Sequence, residues 1–465
     1  MYKHLKMRYG LNINNYTIAF VMLYLLAGVL ACISPILSIL EIYMLTIYFV
    51  IRNDGKTFYY FIIFVFFQNI FLIFFANSFS SFETTIILLS KEIMLYGCFI
   101  SWLLKKRMAK KVEFMFVAYL AVIGIAFFVS DASIYSKVVA VRQMLVPFIC
   151  VYFGIHLSVT KEMLIKIEKL IIALCVLVGL FGVYELLFLG DEFWKSLPLR
   201  QFNINKGTSF DTYMDMPLNF YTWDLFEYTG KVIRRMTSFF ADPLMSSGFF
   251  FTGLVLTDSY RIKYSKKYTV AEVFLLICGL LTLSKGFYVA VLVFYSMKIF
   301  KKLSYKKLKL LLVAFAFGVL ALIMLAKISL QYLPPSSITI HIQGLLSGID
   351  NGSLIGNGLG KAGVMASQIG GIEESLAAES FMGVMIAQIG YIGLFSFLFI
   401  IGYILSKCLK YYCVTKEIRL YNYPVMILAI ICQSFFSESS IGIVVTGTSF
   451  ILFGLAYKVE NYTCK

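Results

Sequence analysis

Charged side chains are scarce in this sequence. Asp, Glu, Lys and Arg together make up 14% of the 465 residues, whereas 60% of the residues are hydrophobic. A water-soluble protein of this composition would have too few polar side chains to cover its surface. The composition therefore excludes a soluble globular protein and predicts an integral membrane protein, with no soluble domain attached.

Several motifs of metal and cofactor chemistry are also absent. The sequence contains no paired-aspartate motif of the metal-using sugar-nucleotide transferases, no His-Glu-x-x-His and no Gly-x-Ser-x-Gly. The nine cysteines avoid the long polar loops, so neither a disulfide framework nor a zinc site is indicated. The segment GNGLGKA resembles a phosphate loop, but Ile355 and Ala362 occupy positions that require Gly and Ser or Thr. We expect no metal and no cofactor.

The formal net charge of +16 has a topological explanation rather than a nucleic-acid partner. The basic residues form short clusters between apolar runs, around 105–111, 261–267, 298–309 and 407–419. These clusters alternate in step with the predicted membrane crossings, as the positive-inside rule requires. The pattern predicts a multi-pass protein of the bacterial inner membrane with both termini in the cytoplasm. The run at 16–34 is too long for a cleaved signal peptide and is predicted to be a retained helix.

One bilayer crossing needs about 20 apolar residues, and such runs recur along the whole chain. We predict an all-α fold with about 14 transmembrane helices (12 to 14), forming one transmembrane domain over residues 1–465. The predicted segments are 16–34, 36–51, 57–77, 84–104, 112–129, 138–157, 168–189, 238–258, 268–284, 286–301, 308–328, 380–405, 421–436 and 440–457.

Two long segments remain outside the membrane in this topology. They cover residues 190–237, which are rich in aromatic and acidic side chains, and residues 329–379, which are rich in glycine. The loops on the cytoplasmic side are all short. Because functional residues concentrate on loops that a rigid scaffold holds in place, we expect the chemistry on the extracytoplasmic side.

Four cations lie where the positive-inside rule does not predict them. Arg234 and Arg235 stand at the outer end of the first loop, Arg142 lies in the outer half of a membrane helix, and Lys285 lies at the tip of a hairpin. Arginine offers a permanently charged fork that suits a diphosphate. The alternatives are headgroup anchors for Arg234 and Arg235, an upward-pointing side chain for Arg142 and a simple turn residue for Lys285.

Two side chains on the same side are candidates for a general base. Glu379 opens the helix ESFMGVMIAQIGYIG, where a carboxylate could equally cap free backbone N–H groups. His341 is the only histidine predicted outside, and a lone loop histidine is more often an ordinary surface residue. The roles of Glu41, Glu185 and Glu438, which lie in or at the ends of apolar runs, stay open between cavity lining and interhelical hydrogen bonding.

Four short motifs, in this order and between these helices, resemble those of the Wzy-type O-antigen and capsular polysaccharide polymerases, which are related to the O-antigen ligases. They are RRMTSFFADPLMSSG, LTLSKG, IGNGLGKAG and ESFMGVMIAQIGYIG. In the second motif Lys285 replaces the arginine that the family often has. In the last motif Glu379 and Ser380 stand where ligases carry a His-Asn pair, and nine residues separate this pair from Gly390, which is followed by Gly393. This glutamate favours a polymerase over a ligase.

The resemblance implies a GT-C-like fold and an inverting, metal-independent glycosyl transfer on the outer face of the membrane. The substrates would be undecaprenyl-diphosphate-linked oligosaccharides as donor and acceptor, and the partners a chain-length regulator and a flippase of the same pathway, besides membrane lipid. We assign Arg142, Arg234, Arg235 and Lys285 to the diphosphate, Glu379 as the first choice of base and His341 as the second. Aromatic residues of the first loop could stack on sugars or anchor the loop at the interface: Tyr221, Trp223 and Trp194.

Two other functions remain open at this point. An O-antigen ligase would transfer the finished glycan to a different acceptor. A lipid-linked oligosaccharide flippase or another transporter would also have a dozen or more helices, but it should show short loops on both sides and two related halves. The long outer loops and the cations near the outer surface favour the polymerase.

Overall fold

The computed structural model describes residues 13–104, 110–208, 210–211, 215–224, 226, 230–261, 267–329, 337–363 and 379–463. The structure is 84% helical, which confirms the predicted all-α class. Each of the fourteen predicted apolar segments coincides with a helix. Among the described residues of the two predicted outer loops lie three further α-helices and four two-residue strands.

The helices are α1 Ile13–Ile33, α2 Pro35–Arg52, α3 Gly55–Phe74, α4 Ser81–Leu104, α5 Lys110–Val129, α6 Ile134–His156, α7 Lys161–Tyr184, α8 Gly190–Ser196, α9 Leu199–Lys206, α10 Pro243–Arg261, α11 Lys267–Leu281, α12 Lys285–Ile299, α13 Tyr305–Ser329, α14 Ser337–Asp350, α15 Phe381–Thr415, α16 Arg419–Ser434 and α17 Ile443–Thr463. The strands are β1 Phe210–Asp211, β2 Met216–Pro217, β3 Tyr221–Thr222 and β4 Ile233–Arg234. They form two antiparallel pairs, β1 with β2 and β3 with β4.

Seven helical segments of the described chain are long and apolar enough to cross a membrane. They are Pro35–Arg52, Gly55–Phe74, Ser81–Leu104, Lys111–Val129, Ile134–His156, Lys161–Ser196 and Phe381–Thr415. This agrees with an integral membrane protein, because about 18 or more apolar residues are needed for one crossing.

Local sequence signals explain where individual helices begin and end. Asn53 takes a left-handed conformation (φ 45°) and ends α2, as a residue after a helix often does. Asp54 then begins α3 with a capping box, in which its carboxylate accepts a hydrogen bond from Lys56 N (2.8 Å) and its own N–H donates to Thr57 Oγ1 (3.2 Å). A sharp turn between two apolar helices therefore needs only three polar residues.

The chain divides into two compact units. The first comprises the described parts of Met1–Ser101, Leu157–Phe220 and Thr237–Asp242. Its interior includes the fully buried Trp194, whose indole N–H donates to Glu185 Oε1 (2.7 Å). Thr237 Oγ1 also donates to that oxygen (3.3 Å), so Glu185 is an interhelical acceptor. The expectation that Trp194 could stack on sugars is therefore wrong, because neither face of the indole is accessible.

The second unit comprises the described parts of Trp102–His156, Tyr221–Met236 and Pro243–Lys465. Helices α6 and α17 cross at Gly154 and Gly454, where a Cβ atom on either glycine would overlap the backbone of the other helix. This close approach brings the two helix axes together as small residues do in membrane proteins. All predicted site residues belong to this second unit.

A charged cluster also lies inside the second unit. The fully buried Asp258 of α10 accepts hydrogen bonds from Lys298 Nζ (2.5 Å), Arg261 (3.0 Å) and Asn422 Nδ2 (3.0 Å). Arg261 Nε also lies 2.8 Å from Glu272 Oε2. The cluster ties α10, α11, α12 and α16 together on the side that the sequence predicts to be cytoplasmic, and its paired charges satisfy one another.

Candidate active site

The second outer segment brings the two candidate bases into contact. His341 lies in the second turn of α14, and its Nδ1 is 3.0 Å from Glu379 Oε2. The His341 side chain is 23% exposed and that of Glu379 is 42% exposed. The pair is therefore partly shielded but still reachable from solvent.

The backbone explains why the Glu379 carboxylate is available to His341. Ser380, not Glu379, caps α15: its Oγ accepts from Gly383 N (3.1 Å) and donates to Phe435 O (2.8 Å). Glu379 itself takes a left-handed conformation with φ 67°. Such a conformation costs roughly 1–2 kcal/mol in a residue with a Cβ atom. Backbone strain of this kind is concentrated at functional sites.

Lys285 is the third member of this group. The close contact with His341 is the largest cause that lowers the pKa of Glu379, partial burial opposes it, and the charges of His341 and Lys285 lower it further. We call His341, Glu379 and Lys285 the His–Glu–Lys cluster. Its carboxylate stays ionised to a lower pH than that of an ordinary glutamate.

The positive charge of Lys285 does not stabilise the helix in which it lies. Leu283 turns the chain between α11 and α12 with φ 49°, and Lys285 is the first residue of α12 after the N-cap Ser284. A cation at a helix N-terminus is disfavoured by the helix dipole. Lys285 Nζ is balanced by Asp224 Oδ1 at 2.8 Å, and Thr222 Oγ1 in turn donates to Asp224 Oδ2 (2.7 Å). Asp224 is a site residue that the sequence did not indicate.

The two loop arginines lie beside the same turn. Arg234 pairs across the β3–β4 hairpin with Tyr221. Arg235 Nε donates to Thr282 O (2.9 Å), and Met236 N donates to Leu281 O (3.1 Å). The segment that carries both arginines is therefore bound to the turn that presents Lys285. Tyr221 is half-buried in this hairpin.

Trp223 is the most accessible predicted sugar contact. Its side chain is among the exposed large hydrophobics, at 52%, and its ring centroid is 5.3 Å from that of Phe226. Because it directly precedes Asp224, the partner of Lys285, an exposed aromatic face stands next to the cations. This arrangement suits the binding of a sugar ring.

Arg142 lies on α6 and is half-buried. The next residue, Gln143, donates through Nε2 to Glu438 Oε1 (3.0 Å). Lys137, which precedes Arg142 on the same helix, donates to Ser130 O (2.5 Å) and lies 5.3 Å from the Phe127 ring. Glu438 is 8% exposed and lies against Gly363, so α6 is linked to the end of the glycine-rich segment.

The glycine-rich segment Gly356–Gly363 is held by a buried glutamine that the sequence did not single out. Gln388 is 1% exposed; its Oε1 accepts from Gly360 N (3.3 Å) and its Nε2 donates to Ala362 O (2.6 Å). At the other face Lys361 Nζ lies 2.6 Å from Asp131 Oδ1, a contact that lowers the pKa of the Asp131 carboxyl. Both the oxygen and the nitrogen of the Gln388 side-chain amide thus hold the segment in place.

The same segment breaks the helix that follows Glu379. Gly390 interrupts α15 with φ 71° and ψ −177°. Directly after this break, Tyr391 N donates to Ser353 O (3.1 Å) and Ile392 N donates to Leu354 O (3.1 Å). The Gly390 of the sequence motif therefore marks the point where the extended chain before Gly356 crosses α15, which a continuous helix could not accommodate.

The structure thus places seven of the eight predicted site residues around two adjoining features, the His–Glu–Lys cluster and the β3–β4 hairpin, and the eighth, Arg142, on α6. Among the described residues, no three His, Cys, Asp or Glu side chains converge as a metal site would require. The absence of a metal requirement stays a prediction. No protein-family model matches the sequence, and no curated protein matches it.

Proposed function

We propose that this protein is a glycosyltransferase that polymerises undecaprenyl-diphosphate-linked oligosaccharide repeat units into a surface polysaccharide. The reaction is inverting and metal-independent, and it takes place on the outer face of the bacterial cytoplasmic membrane. One observation carries the proposal: a carboxylate and an imidazole lie 3.0 Å apart, with a lysine near enough for its charge to act on the same carboxylate. A general base beside a cation is what transfer from a diphosphate requires.

In the proposed reaction a hydroxyl oxygen of the acceptor repeat unit forms a bond to the anomeric carbon of the donor glycan. The bond from that carbon to the diphosphate oxygen breaks, and undecaprenyl diphosphate leaves with the bonding electrons. Glu379 takes the hydroxyl proton. Its lowered pKa keeps it ionised, and a weak base suffices because the hydroxyl proton becomes strongly acidic once its oxygen bonds to the sugar cation. His341 holds the carboxylate.

The cations neutralise the departing diphosphate. Negative charge grows on the leaving oxygens in the transition state, and preorganised donors aimed at them stabilise it. Lys285 would exchange Asp224 for the phosphate oxygens, and Arg234 and Arg235 lie next to the same turn. Arg142 would complete the site from α6.

We also propose the finer topology that goes with this function: about 14 membrane crossings, both termini in the cytoplasm and a GT-C-like arrangement. The coincidence of all fourteen predicted segments with helices supports it. So does the distribution of basic residues, since Arg261 and Lys298 share the side that the positive-inside rule assigns to the cytoplasm.

The experiment is polymerisation by purified protein in lipid nanodiscs, supplied with lipid-linked repeat units and no added metal. Wild-type protein should produce a ladder of glycans. Glu379→Gln should reduce the rate by about 10² to 10⁴, the usual contribution of a general base. Arg235→Ala should reduce it by about 10² to 10³, as the loss of one charge-stabilising donor does.

Lys327→Ala is the matched control. Lys327 also forms an ion pair, with Asp350 at 2.5 Å, but both side chains are about half exposed and lie outside the cluster. This variant should retain the wild-type ladder. Size-exclusion profiles show whether each variant is folded. A ladder that persists in both Glu379→Gln and Arg235→Ala would refute the assigned site, and no ladder from wild-type protein would favour a transporter.

An O-antigen ligase is the second candidate, and one observation favours it. The resemblance places Glu379 where ligases have a histidine, and His341 lies 3.0 Å from that position. A ligase would transfer glycan to an acceptor other than a repeat unit. Supplying a lipid A core acceptor beside the lipid-linked repeat units separates the two functions, because only a ligase would glycosylate the core.

A further inference from the structure

A buried carboxyl group in the first compact unit has no role in the proposed reaction. Helix α2 directs one face inward, with Ser38, Glu41, Ile42, Thr46 and Phe49 buried. Its opposite face exposes Leu37, Leu40, Met44 and Ile47. Glu41 is 8% exposed and therefore lies on the inner face, surrounded by protein rather than by solvent.

Neither carboxyl oxygen of Glu41 has a hydrogen-bond partner among the described residues, and both are inaccessible to solvent. The hydroxyl of Ser38, one turn earlier on the same face, is also buried without a partner there. Buried polar atoms in native proteins are nearly always hydrogen-bonded. Two such groups one turn apart therefore mark a place where a small ligand supplies the missing hydrogen bonds.

Within the described part of the chain, the helices around Glu41 bring no cation to its carboxyl oxygens. The described part of α1 contains no Asp, Glu, Lys, Arg or His. From α3, Tyr60 lies close enough to Glu41 for an electrostatic interaction, but its side chain is neutral. From α4, Lys91 Nζ donates to Gln68 Oε1 (2.6 Å) and to Leu88 O (2.7 Å). Glu92, on the same helix, carries a negative charge or none.

An ionised carboxylate that is withdrawn from water and has no cation beside it is very unfavourable, and such a group takes up a proton instead. We propose that Glu41 is a proton-binding site in the membrane interior, with its carboxyl group held as the neutral acid at neutral pH. The proton lets the group donate as well as accept a hydrogen bond. Ser38 Oγ and a water molecule are chemically matched to it.

Carbodiimides test this assignment on wild-type protein. The apolar reagent dicyclohexylcarbodiimide adds to a protonated carboxylic acid in an apolar environment, whereas a water-soluble carbodiimide with glycine ethyl ester modifies carboxyls in contact with water. Both reagents are applied to the protein in nanodiscs, and the modified residues are identified by peptide mass spectrometry. Glu192, whose side chain is 88% exposed, is the matched control in the same unit.

We expect the apolar reagent to label Glu41 at least tenfold more than Glu192, and the water-soluble reagent to show the reverse preference. Labelling of Glu41 should decrease as the pH is raised. Glu41→Gln should abolish the adduct and Ser38→Ala should retain it. Because wild-type protein alone decides the result, a variant that fails to fold does not matter. A detected Glu41 peptide that the apolar reagent leaves unmodified, or that the water-soluble reagent modifies as readily as Glu192, overturns the proposal.

Discussion

Gly390→Ala should release the glycine-rich segment from α15. The combination of φ 71° and ψ −177° at Gly390 belongs to a region that is essentially restricted to glycine. Forcing a residue with a Cβ atom into such a conformation costs about 1–3 kcal/mol. The new Cβ atom would in addition overlap Leu354 O and Gly356 N, so the extended chain would have to move away from the helix.

That movement breaks identifiable hydrogen bonds. Asn357 N donates to Ala387 O (2.8 Å) and Gly358 N donates to Gln388 O (3.1 Å) on the helical turn before the break. A backbone hydrogen bond contributes about 1 kcal/mol net. With about 2 kcal/mol of strain at residue 390 and one bond lost, the docked state is destabilised by about 3 kcal/mol. Each 1.4 kcal/mol is a factor of ten, so the open state becomes about 100-fold more populated.

Hydrogen–deuterium exchange of the amides of Asn357 and Gly358 measures this opening directly. Gly390→Ala should accelerate it by about two orders of magnitude. Gly402→Ala is the control in the same helix, because no atom lies within 4 Å of its added Cβ. It should leave the exchange unchanged and stabilise α15 by about 0.5–1 kcal/mol. Wild-type exchange in Gly390→Ala, or equal acceleration in both variants, would show that the break is not required for docking.

Two further variants test the electrostatics. Lys285→Gln removes a positive charge that lowers the pKa of Glu379, so the acidic limb of the polymerisation rate should move to higher pH, while Lys327→Gln leaves it in place. Ionised Glu379 stabilises the folded protein at pH values above its unfolded-state pKa, and this stabilisation is lost as the pH falls through the folded-state pKa. Because Lys285→Gln raises the folded-state pKa, the loss should begin at a higher pH in this variant than in the wild type. Asp258→Asn should lower the free energy of unfolding by about 3 kcal/mol, because Asp258 is wholly buried among cationic donors. Thermal unfolding measures this loss. Asp350→Asn, at a solvent-exposed ion pair, is the control and should cost under about 1 kcal/mol.

The helices could be predicted because a membrane span is defined by composition and length alone. Apolar runs of about 20 residues located all fourteen helices, although single limits differ by up to ten residues, as at the end of Phe381–Thr415, which was predicted at 405. A predicted helix start differs from the observed one where two neighbouring residues could both serve as the N-cap. The sequence allowed Glu379 to cap α15, but Ser380 is one position better placed for Gly383 N, and this frees the glutamate for His341.

The partners of single polar residues could not be predicted. Gln388 and Gln143 lie in apolar helices, and nothing in their neighbourhood in the sequence indicates that one holds the glycine-rich segment and the other holds Glu438. Such contacts depend on which helices are adjacent, which periodicity does not specify. Asp224 was missed for the same reason, since its partner Lys285 lies more than one helix away along the chain.

The cations of the site share one physical property. Lys285 occupies a helix N-terminus, where the dipole disfavours a positive charge, and Arg235 lies beside the same turn. In the proposed topology this turn lies on the outer side, where few anionic lipids hold basic residues. In the structure Asp224, which lies in an exposed loop, forms an ion pair with Lys285. A protein that concentrates positive charge against both helix electrostatics and topology is stabilised when an anion arrives, and a lipid diphosphate brings at least two negative charges to that place. The same binding would displace Asp224 and leave Lys285 between the leaving group and Glu379, which couples the departure of the diphosphate to the proton transfer on the acceptor.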